Sequence, residues 1–110
     1  MDKKQSESIK KDIEIAERFA SRVQEIGIPL DELYIFGSRI RGDANKWSDL
    51  DVCVVSPTFG VNKTAELVLL SILKDKINLD IEAHPFSVQE FSNKYSPLVQ
   101  EIKRTGIKVI

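Results

Sequence analysis

The sequence predicts an α/β fold, because amphipathic helical segments alternate with short apolar strand segments along its 110 residues. A chain of this length suits one modest core, so we expect residues 1–110 to form a single domain. Hydrophobic residues make up 42% of the chain and charged residues 30%. That balance is typical of a folded globular protein and argues against disorder.

The first half of the chain predicts one long helix followed by two strands. Apolar residues recur at three- and four-residue steps from about residue 4 to 26, which is the spacing of one helical face, and Gly27 ends that helix. Residues 33–36 form a short apolar run, which indicates a strand. Residues 49–55 are the clearest strand, and their second half is apolar on both faces, as in a covered central strand.

The second half predicts further helices and one alternating strand. Asn62 can cap a helix. The expected apolar stripe of that helix consists of Ala65, Val68, Leu69, Ile72 and Leu73. Residues 77–83 alternate apolar and polar side chains, which predicts a half-buried strand. Ser87 and Ser96 each begin a short helix, and residues 107–110 form either a last strand or a tail that docks on a partner.

Charge and cysteine content disfavour several classes of protein. The formal net charge of −1 gives no reason to expect binding to nucleic acid, because such proteins usually carry a basic surplus. Cys53 is the only cysteine, and its apolar neighbours predict a small buried side chain rather than a disulfide or a reactive thiol. We find no signal peptide and no bilayer-spanning stretch, so we expect a cytoplasmic protein without a membrane partner.

Two aspartates at the start of the central strand are the first candidates for chemistry. Asp49 and Asp51 are two residues apart, so both side chains point to the same face of the strand. Two carboxylates at this spacing repel each other unless a positive charge lies between them, and Mg²⁺ is the natural cation for oxygen ligands shared with phosphates. An exposed acidic strand start is the alternative, but acids at the mouth of an apolar central strand favour a site.

A two-metal site needs a further carboxylate from another strand. The alternating segment offers Asp80 and Glu82 on its polar face, and one of them should lie beside the aspartate pair if the strands are neighbours. That acid would act as a metal ligand or as a base for the attacking hydroxyl. The sequence leaves the choice between the two open.

Four residues are candidates for nucleotide contacts. Gly37 lets the backbone approach a ligand, and the Ser38 hydroxyl adds a donor at a helix start, which suits a triphosphate. Arg41 could neutralise phosphate charge, and Ser48 could orient the following aspartate. Each could equally be an ordinary turn or surface residue.

Three other residues are weaker candidates for a role in the site. Arg39 is a weaker candidate for phosphate than Arg41, and Trp47 is expected to pack in the core. For His84 we expect no direct role, because neither the metal site nor the acid–base chemistry needs it.

Gly37-Ser38, Arg41-Gly42 and Ser48-Asp49-Leu50-Asp51 together resemble the signature of the DNA polymerase β-like nucleotidyltransferase superfamily, and in particular its minimal prokaryotic members. The resemblance implies a small mixed β-sheet flanked by helices, with the metal site at one sheet edge. It implies that Asp49 and Asp51 are paired metal ligands, that Gly37 and Ser38 contact the nucleotide phosphates, and that Asp80 or Glu82 is the third acid.

The resemblance also implies a partner and a reaction. Minimal members are often antitoxins of small helical HEPN toxins, and some transfer AMP from ATP to a toxin tyrosine. We therefore expect an Mg²⁺-dependent nucleotidyltransferase that uses ATP, acts on a HEPN-type toxin and forms a hetero-oligomer with it. We expect so short a chain to have no acceptor domain of its own, which favours a protein acceptor. The alternatives are an inactive antitoxin that masks its toxin, and transfer to a small molecule.

Overall fold

The computed structural model describes residues 3–42, 48–78 and 80–110, so Trp47 and Leu79 lie outside the described residues. Five helices and four strands alternate along this part of the chain. In chain order they are α1 (Lys3–Glu25), β1 (Glu32–Phe36), α2 (Ser38–Arg41), β2 (Leu50–Val55), α3 (Lys63–Lys74), β3 (Ile81–Phe86), α4 (Val88–Phe91), α5 (Pro97–Thr105) and β4 (Ile107–Lys108).

The four strands form one mixed sheet in the order β3-β2-β1-β4. β1 pairs antiparallel with β2 and β4, whereas β2 and β3 run parallel. The mixed sheet flanked by helices that the sequence resemblance implied is therefore confirmed. Residues 107 and 108 belong to a strand, because they pair with Ile35 and Tyr34 of β1.

The sheet is covered on both faces by different helices. Successive residues of a strand point to opposite faces, so β2 contributes to two separate clusters of apolar side chains. Leu50, Val52 and Val54 pack with residues of α1 and α3, and we call this side the α1/α3 face. Cys53 and Val55 pack with residues of α4 and α5, which form the α4/α5 face.

Several local predictions are confirmed by the structure. Side-chain caps begin three helices: the side chain of Asn62 accepts from the Ala65 N–H, Ser87 forms a capping box with Glu90, and Ser96 accepts from the Val99 N–H. Cys53 is fully buried, and burial raises the pKa of its thiol, which therefore stays neutral.

The predicted apolar stripe of α3 is confirmed for Leu69 and Leu73 and wrong for its other three members. Leu70 and Leu73 face the core, whereas Val68 and Ile72 are 54% and 58% exposed. Apolar residues occupy most sides of this helix, so the sequence periodicity alone did not identify the buried side. An apolar strip of Leu67, Val68 and Ile72 remains on the surface.

The strand predicted over residues 77–83 begins later than expected. β3 starts at Ile81. Before it, the N–H groups of Ile77 and Asn78 both donate to the Lys74 carbonyl, so these residues form the turn that ends α3. Asp80 consequently precedes the strand, and only Glu82 of the two candidate acids lies within it.

None of the helices in the described part of the chain has the length and apolar character needed to cross a bilayer.

Candidate metal and nucleotide site

Three ligand-bearing side chains converge at the edge strand of the sheet. The parallel pairing of β2 with β3 places Asp51 opposite Glu82 and Cys53 opposite His84. Asp51, Glu82 and His84 each offer a ligand atom, and these atoms lie within 4.8 Å of one another. Among residues 3–42, 48–78 and 80–110 this is the one such group of acids, histidines and cysteines, and neither Asp49 nor Asp80 belongs to it.

Strand alternation explains why these side chains share a face. Asp51 has the same parity as Cys53, so it lies on the α4/α5 face, beyond the point where the apolar cluster ends. Glu82 and His84 of β3 pair with Asp51 and Cys53, so their side chains lie on the same face of the sheet. The face that buries Cys53 thus continues into a polar, half-open patch at the start of β2.

His84 is fixed against Asp51. Its Nε2 atom lies 3.1 Å from Oδ1 of Asp51, and the two side chains are only 28% and 22% exposed. The imidazole ring also packs on the Phe36 ring, with 5.2 Å between ring centroids. His84 was not expected to take part, although it lies two positions after Glu82 and therefore on the same face of an alternating strand.

Gly37 closes the site from the β1 side. Its φ of +88° lies in the region that residues with a side chain rarely adopt. A Cβ atom at this position would collide with Oδ2 of Asp51, so the missing side chain leaves room for the Asp51 carboxylate. The chain then turns directly into α2, and the Gly37 carbonyl accepts from the Ile40 and Arg41 N–H groups.

An ion pair under the site joins three segments. Asp12 of α1 is 2% exposed, and its Oδ1 atom lies 2.6 Å from the Arg39 guanidinium. Burial raises the pKa of the Asp12 carboxyl, and the charge and hydrogen bond of Arg39 oppose that shift. Arg39 also donates to the Ser48 carbonyl at 3.5 Å. Arg39 therefore connects α1 and α2 to the residue that precedes Asp49.

The remaining predicted site residues lie outside this group. Asp49 is exposed, one residue before β2 begins. Asp80 is also exposed, and its backbone carbonyl accepts from the Leu50 N–H. Ser38 is the first residue of α2. Arg41 forms a 3.1 Å ion pair with Glu101 of α5.

The donor set fits a divalent cation. Two carboxylates brought together by adjacent strands repel each other, and a bound cation removes that repulsion. Asp51 and Glu82 supply the oxygen atoms that hard divalent ions prefer, and His84 adds a nitrogen. The short separations among the three ligand atoms allow one ion to contact them all.

A cavity of about 210 Å³ opens beside the acids. It is lined by Leu67, Ser71, Lys74, Glu82, Ala83 and His84. Leu67 of the exposed apolar strip on α3 and Glu82 of the carboxylate group thus border the same cavity.

The sequence matches the family model of the nucleotidyltransferase domain over residues 13–109. The chain belongs to this family. Its members are nucleotidyltransferases, and the acids described above lie within the matched segment. Among curated proteins, none matches this nucleotidyltransferase sequence.

Solved structures share the fold of this nucleotidyltransferase. A candidate nucleotidyltransferase of Sulfolobus solfataricus has a TM-score of 0.69 and 22% identity, over 98% of this chain and 87% of that one. A toxin–antitoxin complex with AMP-PNP gives a TM-score of 0.55 and 20% identity. A mutant of the MntA–HpeT toxin–antitoxin complex gives 0.55 and 15%. Both of these alignments cover 86% of this chain and 72% of the other.

Proposed function

We propose that this nucleotidyltransferase transfers AMP from ATP to a hydroxyl, most simply a tyrosine, of a HEPN-type toxin and thereby acts as its antitoxin in the cytoplasm. The observation that carries the proposal is the meeting of Asp51 and Glu82 beside Gly37. Two structural neighbours are toxin–antitoxin complexes, and one of them holds the ATP analogue AMP-PNP. The other carries two aspartate-to-glutamate changes two positions apart, the spacing of Asp49 and Asp51.

In this proposal Asp49, Asp51 and a third acid hold the divalent cations, and Glu82 is the third acid because it lies with Asp51. Bound Mg²⁺ would neutralise triphosphate charge and make the acceptor hydroxyl more acidic. The acceptor oxygen forms a bond to the α-phosphorus while the bond from that phosphorus to pyrophosphate breaks. Glu82 is exposed, so one carboxylate oxygen is free to accept the hydroxyl proton.

We assign the nucleotide phosphates to the segment around α2. The positive φ of Gly37 turns the chain into α2 directly beside Asp51, and Ser38 offers a hydroxyl at the start of that turn, next to the proposed metal ligands. Arg41 would leave Glu101 and bind a phosphate instead, and this costs little free energy because the Arg41–Glu101 ion pair is exposed to solvent. Ser48 stays tied to Arg39 and fixes the approach to Asp49.

The surface beside the acids favours a protein acceptor. Leu67, Val68 and Ile72 expose an apolar strip that reaches the cavity lined by Glu82 and His84. Exposed apolar strips next to a site are typical of surfaces that bind another protein. A toxin that covered this strip would bring its own hydroxyl to the carboxylates, so the proposed complex is a hetero-oligomer.

The test is transfer of labelled AMP from ATP to a co-purified toxin partner. We expect the Asp49→Ala/Asp51→Ala double variant to lose more than about 100-fold of the transfer rate, because loss of ligands weakens metal binding and activity together. The control is Glu14→Ala/Glu17→Ala, which removes the same charge from the exposed side of α1. Equal labelling by the double aspartate variant and wild type would contradict the proposal.

The same variants separate catalysis from simple masking. The apolar strip of α3 would also serve an inactive antitoxin that covers its toxin. If the double aspartate variant binds the toxin but no longer protects cells, masking is insufficient. If it protects cells as well as wild type does, masking explains the function and transfer does not. Labelling of added small molecules in the absence of any toxin would instead support a small-molecule acceptor.

A further inference from the structure

We infer that His84 is itself a metal ligand, so that this centre binds imidazole-preferring divalent ions such as Co²⁺ and Zn²⁺ through a nitrogen that Mg²⁺ would not recruit. The inference deepens the proposed metal-dependent function and rests on it only for the location of the metal. It concerns one side chain for which the sequence analysis expected no role.

The separation between His84 and Asp51 matches that between two ligands of one ion. Adjacent ligands about 2.0–2.1 Å from a metal lie about 2.8–3.4 Å from each other in octahedral or tetrahedral coordination. The Nε2 atom of His84 lies 3.1 Å from Oδ1 of Asp51, and the Glu82 oxygen lies within 4.8 Å of both. Small side-chain movements would therefore bring all three atoms onto one ion.

The position of His84 is set by the fold rather than by a mobile side chain. Its strand pairs in register with β2, and its ring rests on Phe36 of β1, the strand on the other side of β2. Glu82 is two residues away on the same strand, so both side chains leave β3 on the same side. An imidazole held in this way approaches the metal position without a large loss of side-chain entropy on binding.

The ligand types decide which ions gain from the histidine. Mg²⁺ prefers oxygen ligands and keeps several waters, whereas Co²⁺ and Zn²⁺ bind imidazole nitrogen well. A purely carboxylate site gives the second group no nitrogen. Removal of the imidazole should therefore weaken Co²⁺ binding strongly and Mg²⁺ binding only slightly.

A hydrogen bond alone is the competing role for His84. In that case the Nε2–H group donates a hydrogen bond to Asp51, and the nitrogen never contacts the ion. The variant His84→Gln addresses this alternative, because a glutamine amide can also donate to a carboxylate but is a poor ligand for Co²⁺. Glu82→Gln is the matched control, since it removes a carboxylate and leaves the imidazole in place.

Two measurements on the full chain, without a histidine tag and without nucleotide, test the inference. Calorimetric titration with Co²⁺ and with Mg²⁺ should show at least a tenfold loss of Co²⁺ affinity in His84→Gln and less than a threefold change for Mg²⁺. Glu82→Gln should weaken both ions. The chain contains one histidine, so ¹⁵N-histidine NMR of the wild type reports on this ring alone. Zn²⁺ should shift the Nε2 resonance and leave Nδ1 protonated, and Mg²⁺ should not.

The outcomes separate this inference from the proposed function. A His84→Gln variant with unchanged Co²⁺ affinity, or with equal losses for both ions, would overturn it, as would an Nε2 resonance that ignores Zn²⁺. Neither result affects AMP transfer supported by Mg²⁺. Conversely, histidine-dependent Co²⁺ binding by a protein that transfers no AMP would keep the inference and remove the proposed function.

Discussion

Gly37→Ala is the substitution that most directly tests the architecture of the site. The φ of +88° and ψ of −164° at this position fall in a region that is essentially restricted to glycine, and a side chain there carries about 1–3 kcal/mol of strain. The added methyl would also collide with the Asp51 carboxylate. Asp51 is half-buried and can rotate, so we add about 1 kcal/mol for the crowding, which is the low end for overpacking.

We therefore expect Gly37→Ala to lose about 2–4 kcal/mol of unfolding free energy, summed from strain and crowding. Gly27→Ala is the matched control. Gly27 has a similar φ of +93°, but nothing lies within 4 Å of an added Cβ. The control should lose about 1–2 kcal/mol from the backbone alone. Urea denaturation followed by circular dichroism gives both values.

Metal affinity distinguishes the effect on Asp51 from a general loss of stability. Titration with Co²⁺ well below the unfolding temperature should show at least a tenfold weakening in Gly37→Ala, because its carboxylate is pushed away from Glu82 and His84. Gly27→Ala should bind Co²⁺ as wild type does. If both variants bind Co²⁺ equally well, the close contact between Gly37 and Asp51 does not position the metal ligand, and the reasoning is refuted.

Three further predictions concern groups outside the metal site. Asp12→Ala leaves the half-buried Arg39 guanidinium without its partner and should lose about 1–3 kcal/mol of unfolding free energy in urea denaturation. The control Glu25→Ala removes one member of an exposed ion pair and should lose under about 1 kcal/mol. Equal losses in the two variants would contradict this prediction. Cys53 should react with a thiol reagent only after denaturation, and fast labelling of the native protein would contradict its burial and its raised pKa. The hydrogen bond from Lys63 lowers the pKa of Glu90 below its ordinary value of 4.5. The wild type should therefore be more stable than Glu90→Gln at pH values above 4.5 and lose this advantage at lower pH. An advantage that does not change with pH would contradict the prediction.

Most of the fold could be predicted from short-range patterns in the sequence. Helix caps depend on one polar side chain and the amides next to it, so Asn62, Ser87 and Ser96 could be identified without knowledge of any neighbour. The central strand could be identified because apolar residues occupy both of its faces. Because side chains alternate along a strand, the position of Asp51 also predicted which face its side chain would share.

The sequence alone could not choose between the two candidates for the third acid, because the choice depends on contacts between segments that are distant along the chain. Asp80 and Glu82 have the same parity, so alternation alone could not separate them. The choice depends on where β3 begins, and that depends on the turn that ends α3 at Lys74. Only the strand pairing shows that Glu82 stands opposite Asp51. His84 was missed for a different reason, since we expected neither the metal site nor the acid–base chemistry to need an imidazole.

The exposed side of α3 shows a second limit of sequence patterns. Apolar residues surround this helix, so periodicity cannot say which of them face the sheet. The structure buries Leu70 and Leu73 and leaves Val68 and Ile72 on the surface. A partner surface and a core surface have the same composition here, and only the packing of the chain tells them apart.

The unequal cover of the two sheet faces explains where the site lies. α1 has 23 residues and α3 has 12, and together they bury the α1/α3 face from Leu50 to Val54. α4 and α5 have 4 and 9 residues, and their apolar cluster ends at Phe36 and Cys53. Asp51 is the next residue of β2 on that face. Charged side chains are tolerated there because the short helices leave them in contact with water, whereas ionised acids at the equivalent depth of the α1/α3 face would be strongly destabilising.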